Sequence, residues 1–222
     1  RRLLFDRHAA GRLAHGDAVC QTAHRADCPF PQEMRYELPG LVIDNCAMAG
    51  RSSKTFREEG RLDDIAAHIR PGDLLVVSFG HNDANRAKAE RYVPADAFGE
   101  SLRPFWDAAR SHGAVCIFAS PVAMREFDEA GVCHPSFAAY REAMRAFAAE
   151  VGAPFIDLGA ATAAANTAFG AERCKARYMW VGAKQDNAHQ QNAGACRTAQ
   201  AFVQQLLQDT TPALDVLRAN FK

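Results

Sequence analysis

The chain has 222 residues and a mass of 24.2 kDa, and 48% of its residues are hydrophobic, enough for one full core and too few residues for two comfortable domains. Its 26 Lys and Arg balance 26 Asp and Glu, so no overall field favours nucleic acid or an acidic membrane surface, and a neutral or weakly charged ligand fits better. No apolar run approaches the roughly 20 residues of a membrane-spanning helix, and Arg1-Arg2-Leu3-Leu4-Phe5-Asp6 is too short and too soon charged for a signal peptide; a soluble chain is expected, with secreted, periplasmic and cytoplasmic locations all open.

Residues 1–11 read as an N-terminal extension, a linker or a preceding strand, and 12–222 as one domain. A short first strand is expected around Leu13-Ala14-His15, just before Gly16-Asp17. Apolar runs then recur at 41–43, 74–79, 114–119 and 154–157, the pattern of strands covered on both faces of a parallel sheet. Helices are predicted over 62–69, 97–112, 136–151 and 193–207, the last capped by Asn192, and 84–94 reads as a surface loop or short helix. Repeated βα units define an α/β fold, a three-layer sandwich with a sheet of about five strands, whose ligands bind beyond the carboxyl ends of the strands.

Seven cysteines without a C-x-x-C pair argue against a zinc knuckle or a complete disulfide framework. Cys46 and Cys116 read as buried thiols, and Cys20 and Cys28 as a pair that can form but need not.

Three strand ends carry polar residues suited to chemistry. After the second run comes Asn45-Cys46-Ala47-Met48-Ala49-Gly50-Arg51-Ser52-Ser53-Lys54, where Gly50 lets the backbone approach a ligand with its N–H, and where a bland turn with Ser52 or Ser53 capping the next helix is the competing reading. After the third comes Phe79-Gly80-His81-Asn82-Asp83, whose Asn82 amide is a second donor for a developing oxyanion. Near the C-terminus, Asp186-Asn187-Ala188-His189 puts a carboxylate three residues before an imidazole on a turn, able to orient it and stabilise its charged form.

In this order, Gly16-Asp17-Ala18, Asn45 to Gly50, Gly80-His81-Asn82-Asp83 and Asp186-x-x-His189 resemble the sequence blocks of the SGNH (GDSL) hydrolases. The stretch Gly50 to Phe56, with Glu59-Gly60-Arg61, resembles the rhamnogalacturonan acetylesterase branch. The resemblance implies a flavodoxin-like sandwich, a serine nucleophile in the first block, no metal and no cofactor. It further implies an oxyanion hole from Gly50 and Asn82, His189 as general base and Asp186 as its orienting partner. Asp17 is carried over as a support of its turn. The implied partner is an acetylated carbohydrate, and Arg51, Lys54 and His81 beside the crevice are candidate contacts to an acidic pectic sugar.

The departure is at Ala18, which stands where the family has serine and can neither attack a carbonyl nor hand over a proton. Cys20, Ser52, Ser53 and Ser78 are the substitutes to weigh. Ala18 is either a deliberate Ser-to-Ala change or a natural loss of chemistry with the pocket kept. The readings are therefore an inactivated esterase, a silent glycan-binding domain, or an acyltransferase on the same scaffold.

Overall fold

A computed structural model describes residues 2–5, 42–215 and 218. Among the described residues, five parallel strands form the central sheet: β1 (Arg2–Phe5), β2 (Val42–Asn45), β3 (Leu74–Val77), β4 (Val115–Ala119) and β5 (Phe155–Ile156), in the order β2-β1-β3-β4-β5. That order is flavodoxin-like, and its direction of winding reverses between β1 and β3. The register places Leu4 beside Asp44 on one side and Leu75 on the other, and Val77 beside Phe118.

Alternation along the strands sorts the core into two layers. Leu75 and Val77 of β3 and Phe118 of β4 face helices α1 (Ser53–Glu58), α2 (Arg61–His68), α3 (Ala95–Ser111) and α4 (Ala138–Val151), packing on Phe56, Ile65, Phe98, Phe105, Met144 and Phe147. Leu74, Val76 and Ile117 point the other way, onto α5 (Leu158–Phe169) and α7 (Asn192–Gln208) through Leu158, Phe202 and Leu206. Because successive side chains in a strand alternate faces, this division requires helices on both sides of the sheet, giving the three-layer α/β/α sandwich.

Within the stretch read as an extension, a linker or a preceding strand, Arg2–Phe5 pairs with both β2 and β3. The strand expected at Leu13-Ala14-His15, the Gly16-Asp17-Ala18 turn, Cys20 and Cys28 lie outside the described residues. The elements between β5 and α7 have no counterpart in the sequence pattern. The Ala-rich α5 shows no polar/apolar periodicity because it is small and apolar almost throughout. The antiparallel hairpin of β6 (Tyr178–Val181) and β7 (Lys184–Gln190) has one strand, Lys-Gln-Asp-Asn-Ala-His-Gln, with no β-former in it, so pairing to Tyr-Met-Trp-Val makes it a strand. A short helix, α6 (Ala171–Cys174), leads into that hairpin through a 3-10 turn at Lys175–Arg177. Asn192 is the first residue of α7 and Gln191 occupies the cap, without a side-chain cap bond. No described helix is long and apolar enough to cross a membrane.

Candidate active site

The crevice of a sheet wound this way opens at the carboxyl ends of β1 and β3. Beside it, β2 runs into a turn at Ala49 and Gly50, where Gly50 adopts a left-handed φ of 83°. Three carbonyls in succession then accept side-chain hydrogen bonds: Ala49 O from Arg51 Nη1 (2.9 Å), Gly50 O from Arg91 Nη1 (3.1 Å) and Arg51 O from Asn82 Nδ2 (2.9 Å). Ser52 caps α1, its Oγ accepting from Thr55 N while Thr55 Oγ1 accepts from Ser52 N.

The turn after β3 is fastened to this segment by Asp83. Its buried carboxylate accepts from Gly80 N (3.0 Å), Ser53 N (2.9 Å) and Ser53 Oγ (2.6 Å). Burial pushes the Asp83 carboxyl above its ordinary value, against the pull of these bonds. Gly80 has a φ of 132°, and a Cβ there would fall 2.4 Å from Pro121 Cγ, so only glycine lets the β3 turn pack on the loop after β4. Asn82 uses one amide N–H on Arg51 O, and its other N–H has no hydrogen bond among the described residues.

The hairpin delivers the third element. The β6–β7 pairing is irregular: Tyr178 faces Gln190 while the next residue, Met179, faces Asp186. Asn187, Ala188 and His189 therefore bulge out of the ladder, so the expected turn exists inside a strand. Asp186 Oδ1 accepts from Ala188 N and His189 N (both 2.9 Å), and Asp186 Oδ2 lies 2.8 Å from His189 Nδ1. Partial burial works to raise the Asp186 pKa, but the bonds from the His189 and Ala188 amides and the imidazole outweigh it and hold the carboxyl at about 2. The His189 side chain is 55% exposed, against 18% for Asp186. Asp186 can thus hold the imidazole by Nδ1 with Nε2 turned outward.

Contacts to the loop after β4 bring the hairpin to the same end of the sheet as Gly80. Arg125 N donates to Asn187 O (2.7 Å), Tyr178 Oη donates to Ala123 O (2.6 Å), and the Arg125 guanidinium lies over the Trp180 ring (4.7 Å) while donating to Ala171 O and Asn187 Oδ1. Nothing in the sequence flags Arg125, whose partner is 62 positions away.

Among the three expected sugar contacts, Arg51 is already committed, its Nε between both oxygens of Glu59 (2.9 Å each). His81 packs edge-on against Phe137 (4.8 Å, 63°), which itself sits at a left-handed φ of 57°. Lys54 is half-buried on α1 and makes no ion pair among the described residues.

No serine of the chain precedes position 52, and each one present is held structurally. Ser52 caps α1 and Ser53 serves Asp83; Ser78 donates to Ala119 O, Ser101 to Phe98 O, Ser111 to Ala108 O and Ser120 to Asp157, and Ser136 accepts from Met124 N. Ser52, Ser53 and Ser78, weighed as substitutes for the nucleophile, are all buried. Of the two cysteines read as buried, Cys116 is buried, with its thiol pKa pushed up by burial, and Cys46 is half-buried.

A flavodoxin-like α/β/α sandwich carrying polar groups at the carboxyl ends of its strands is the architecture of one broad class of hydrolases. Residues 10–182 match the model of the GDSL-like lipase/acylhydrolase family. The chain is 35% identical over 187 residues to the rhamnogalacturonan acetylesterase RhgT of Bacillus subtilis, covering 80% of this chain and 79% of that one. It is 39% identical over 156 residues to the probable rhamnogalacturonan acetylesterase YesY of the same organism, covering 70% and 71%. The crystal structure of Bacillus subtilis YxiM superposes with a TM-score of 0.75 at 23% identity, covering 96% of this chain, which spans 57% of that longer one. An acetyl xylan esterase structure follows with a TM-score of 0.63 at 13% identity, covering 92% and 99%. The chain belongs to the GDSL-like lipase/acylhydrolase family, within a branch like the rhamnogalacturonan acetylesterases.

Proposed function

We propose that this domain is built as a carbohydrate O-acetylesterase for acetylated pectic polysaccharide, with Ala18 at the position of the nucleophile. The observation that carries the reading is the Asp186–His189 pair, presented on a bulge at the same end of the sheet as Gly50 and Asn82. With serine at position 18, His189 Nε2 takes the hydroxyl proton as the oxygen attacks the acetyl carbonyl. The Gly50 N–H and the Asn82 amide hold the oxyanion, and the imidazolium, stabilised by Asp186, returns the proton to the departing sugar oxygen. Water then releases acetate from the acyl-enzyme by the same base. With alanine there the sequence stops at binding, and turnover should be lower by several orders of magnitude, because such groups act as a unit.

Acetate release from acetylated pectin and from a small aryl acetate, by this chain and by Ala18→Ser, tests the reading, with His189→Ala in the variant background as control. Activity that appears with serine and disappears without His189 supports it. No release by Ala18→Ser overturns it. A second reading, a silent glycan-binding domain, is favoured by the lack of any serine before position 52. It predicts binding of acetylated pectin by the unaltered chain and no activity in either form.

A further inference from the structure

We propose that Arg51, anchored by Glu59, is a positioning residue for the Gly50 amide. The idea rests on the esterase reading for its purpose and on the local geometry for its existence. The Gly50 N–H and the Ala49 C=O belong to one peptide unit, and in a planar trans peptide the two point in opposite directions. Whatever fixes the carbonyl fixes the direction of the N–H. The Ala49 carbonyl is fixed by Arg51 Nη1 at 2.9 Å.

The guanidinium is itself held on a second edge. Its Nε lies 2.9 Å from both Glu59 oxygens, and Glu59 is pinned from the other side by Arg61 Nε at 2.6 Å. Hydrogen bonds from Arg51 and then Arg61 hold the Glu59 carboxyl below its ordinary value, so it is ionised wherever the protein is folded near neutrality. Glu59 caps the end of α1, which starts at Ser53 and is stapled by Asp83 to the β3 turn. The chain of contacts Asp83, α1, Glu59, Arg51, Ala49 thus ties the direction of one oxyanion donor to the turn that carries the other, Asn82. Arg91 on Gly50 O and Asn82 on Arg51 O fix the next two peptide units in the same way.

A planar fork is needed for this. One edge must meet a carboxylate while another meets a carbonyl, which a lysine ammonium on a flexible stem does not reproduce. Arg51 therefore acts through Gly50 and leaves substrate contact to other groups.

The test uses Glu59→Ala, which touches neither Gly50 nor the crevice, and Arg51→Lys. Arg103→Met is the control: it breaks a three-residue ion-pair set elsewhere in the fold, Arg103 with Glu100 and Glu150, on α3 and α4. In the Ala18→Ser background, Glu59→Ala and Arg51→Lys should each lower kcat on an aryl acetate by about tenfold to a hundredfold, since loss of a whole oxyanion donor costs about 10²–10³. KM should stay within about threefold, and Arg103→Met should change neither. In the unaltered chain, the Gly50 amide cross-peak in a 15N NMR spectrum should shift or broaden in Glu59→Ala and stay in place in Arg103→Met. A Gly50 cross-peak that does not move in Glu59→Ala overturns the proposal, as does an unchanged kcat. If Ala18→Ser itself hydrolyses nothing, the esterase reading fails and the NMR comparison alone decides the positioning claim.

Discussion

Replacing Asp186 by Asn changes one atom and should disable the base while leaving the fold in place. In the native side chain, Oδ1 accepts from two backbone amides at 2.9 Å and Oδ2 faces His189 Nδ1 at 2.8 Å. The amide of Asn has one acceptor, and the two backbone N–H groups compete for it against one imidazole N–H. Keeping Oδ1 on the backbone preserves two bonds, each worth about 1 kcal/mol net. The opposite orientation preserves one and sets an NH2 against two donors. The Asn Nδ2 therefore faces His189 Nδ1, which must accept, and the ring proton moves to Nε2, where it blocks the nitrogen that takes the nucleophile's proton. In the Ala18→Ser background, aryl acetate turnover should fall by about 10³–10⁴, the scale set by a wrong tautomer with intact geometry. Unfolding free energy should fall by only about 1–2 kcal/mol, the worth of a charge-assisted bond replaced by a neutral one in a half-exposed pair. The 15N shifts of His189 in the unaltered chain and in Asp186→Asn report the tautomer directly, without any turnover. Turnover within tenfold of the parent, or an Nε2 that stays unprotonated, would refute the argument.

Other outcomes follow from the same geometry. Gly80→Ala puts a Cβ 2.4 Å from Pro121 Cγ at a φ of 132°, and should cost about 2–4 kcal/mol in urea unfolding; a loss under about 0.5 kcal/mol would show that the turn and Pro121 separate freely. Asp157, held at about 2 despite partial burial by Arg141, Ala160 N and Arg145, and Asp186, also at about 2, both start from an ordinary value of 3.8. Their folded-state values are depressed, so their stabilisation is complete above about pH 4 and lost as pH falls towards 2, at most about 2 kcal/mol each. The urea midpoint should decline across that window, and Arg141→Met should flatten the decline. Arg125→Met removes the donors to Ala171 O and Asn187 Oδ1 and the cation over Trp180; amide exchange over 184–190 should speed up well before global unfolding, and unchanged exchange would show that the hairpin holds itself.

Much of the fold was legible because parallel strands covered on both faces must be apolar throughout, and 74–77 and 114–119 are. The amphipathic helices α2, α3 and α4 and the long α7 were visible for the complementary reason. The hairpin was not, since β7 has the composition of a loop and becomes a strand only through its partner. Arg2–Phe5, with its apolar run Leu3-Leu4-Phe5, pairs as a strand with β2 and β3, and the strand expected at Leu13-Ala14-His15 lies outside the described residues. At the site, Gly50, Asn82, Asp186 and His189 could be picked out as residue types suited to oxyanion and proton chemistry. The role of Arg51 could not, because an arginine beside a crevice looks the same in sequence whether it faces a ligand or Glu59.

Stability accounts for some of the site residues and leaves others over. Gly80, Asp83 and Ser53 form one buried staple, and a folding argument accounts for all three. Asn82 is partly accounted for by its bond to Arg51 O. His189 is different: its imidazole is more than half exposed, contributes one hydrogen bond, and stands on a bulge that interrupts a two-stranded ladder. A plain hairpin of Tyr-Met-Trp-Val with an unbroken partner strand would pair more residues and bury no carboxylate. Most of the Asp186 stabilisation comes from the backbone amides of Ala188 and His189, so the exposed imidazole adds only one hydrogen bond to the fold, as expected of a group kept for what its ring nitrogen does. A His189→Ala chain that binds acetylated pectin as tightly as its parent would place the imidazole outside recognition, and loss of the activity of Ala18→Ser by the same change would place it in proton transfer.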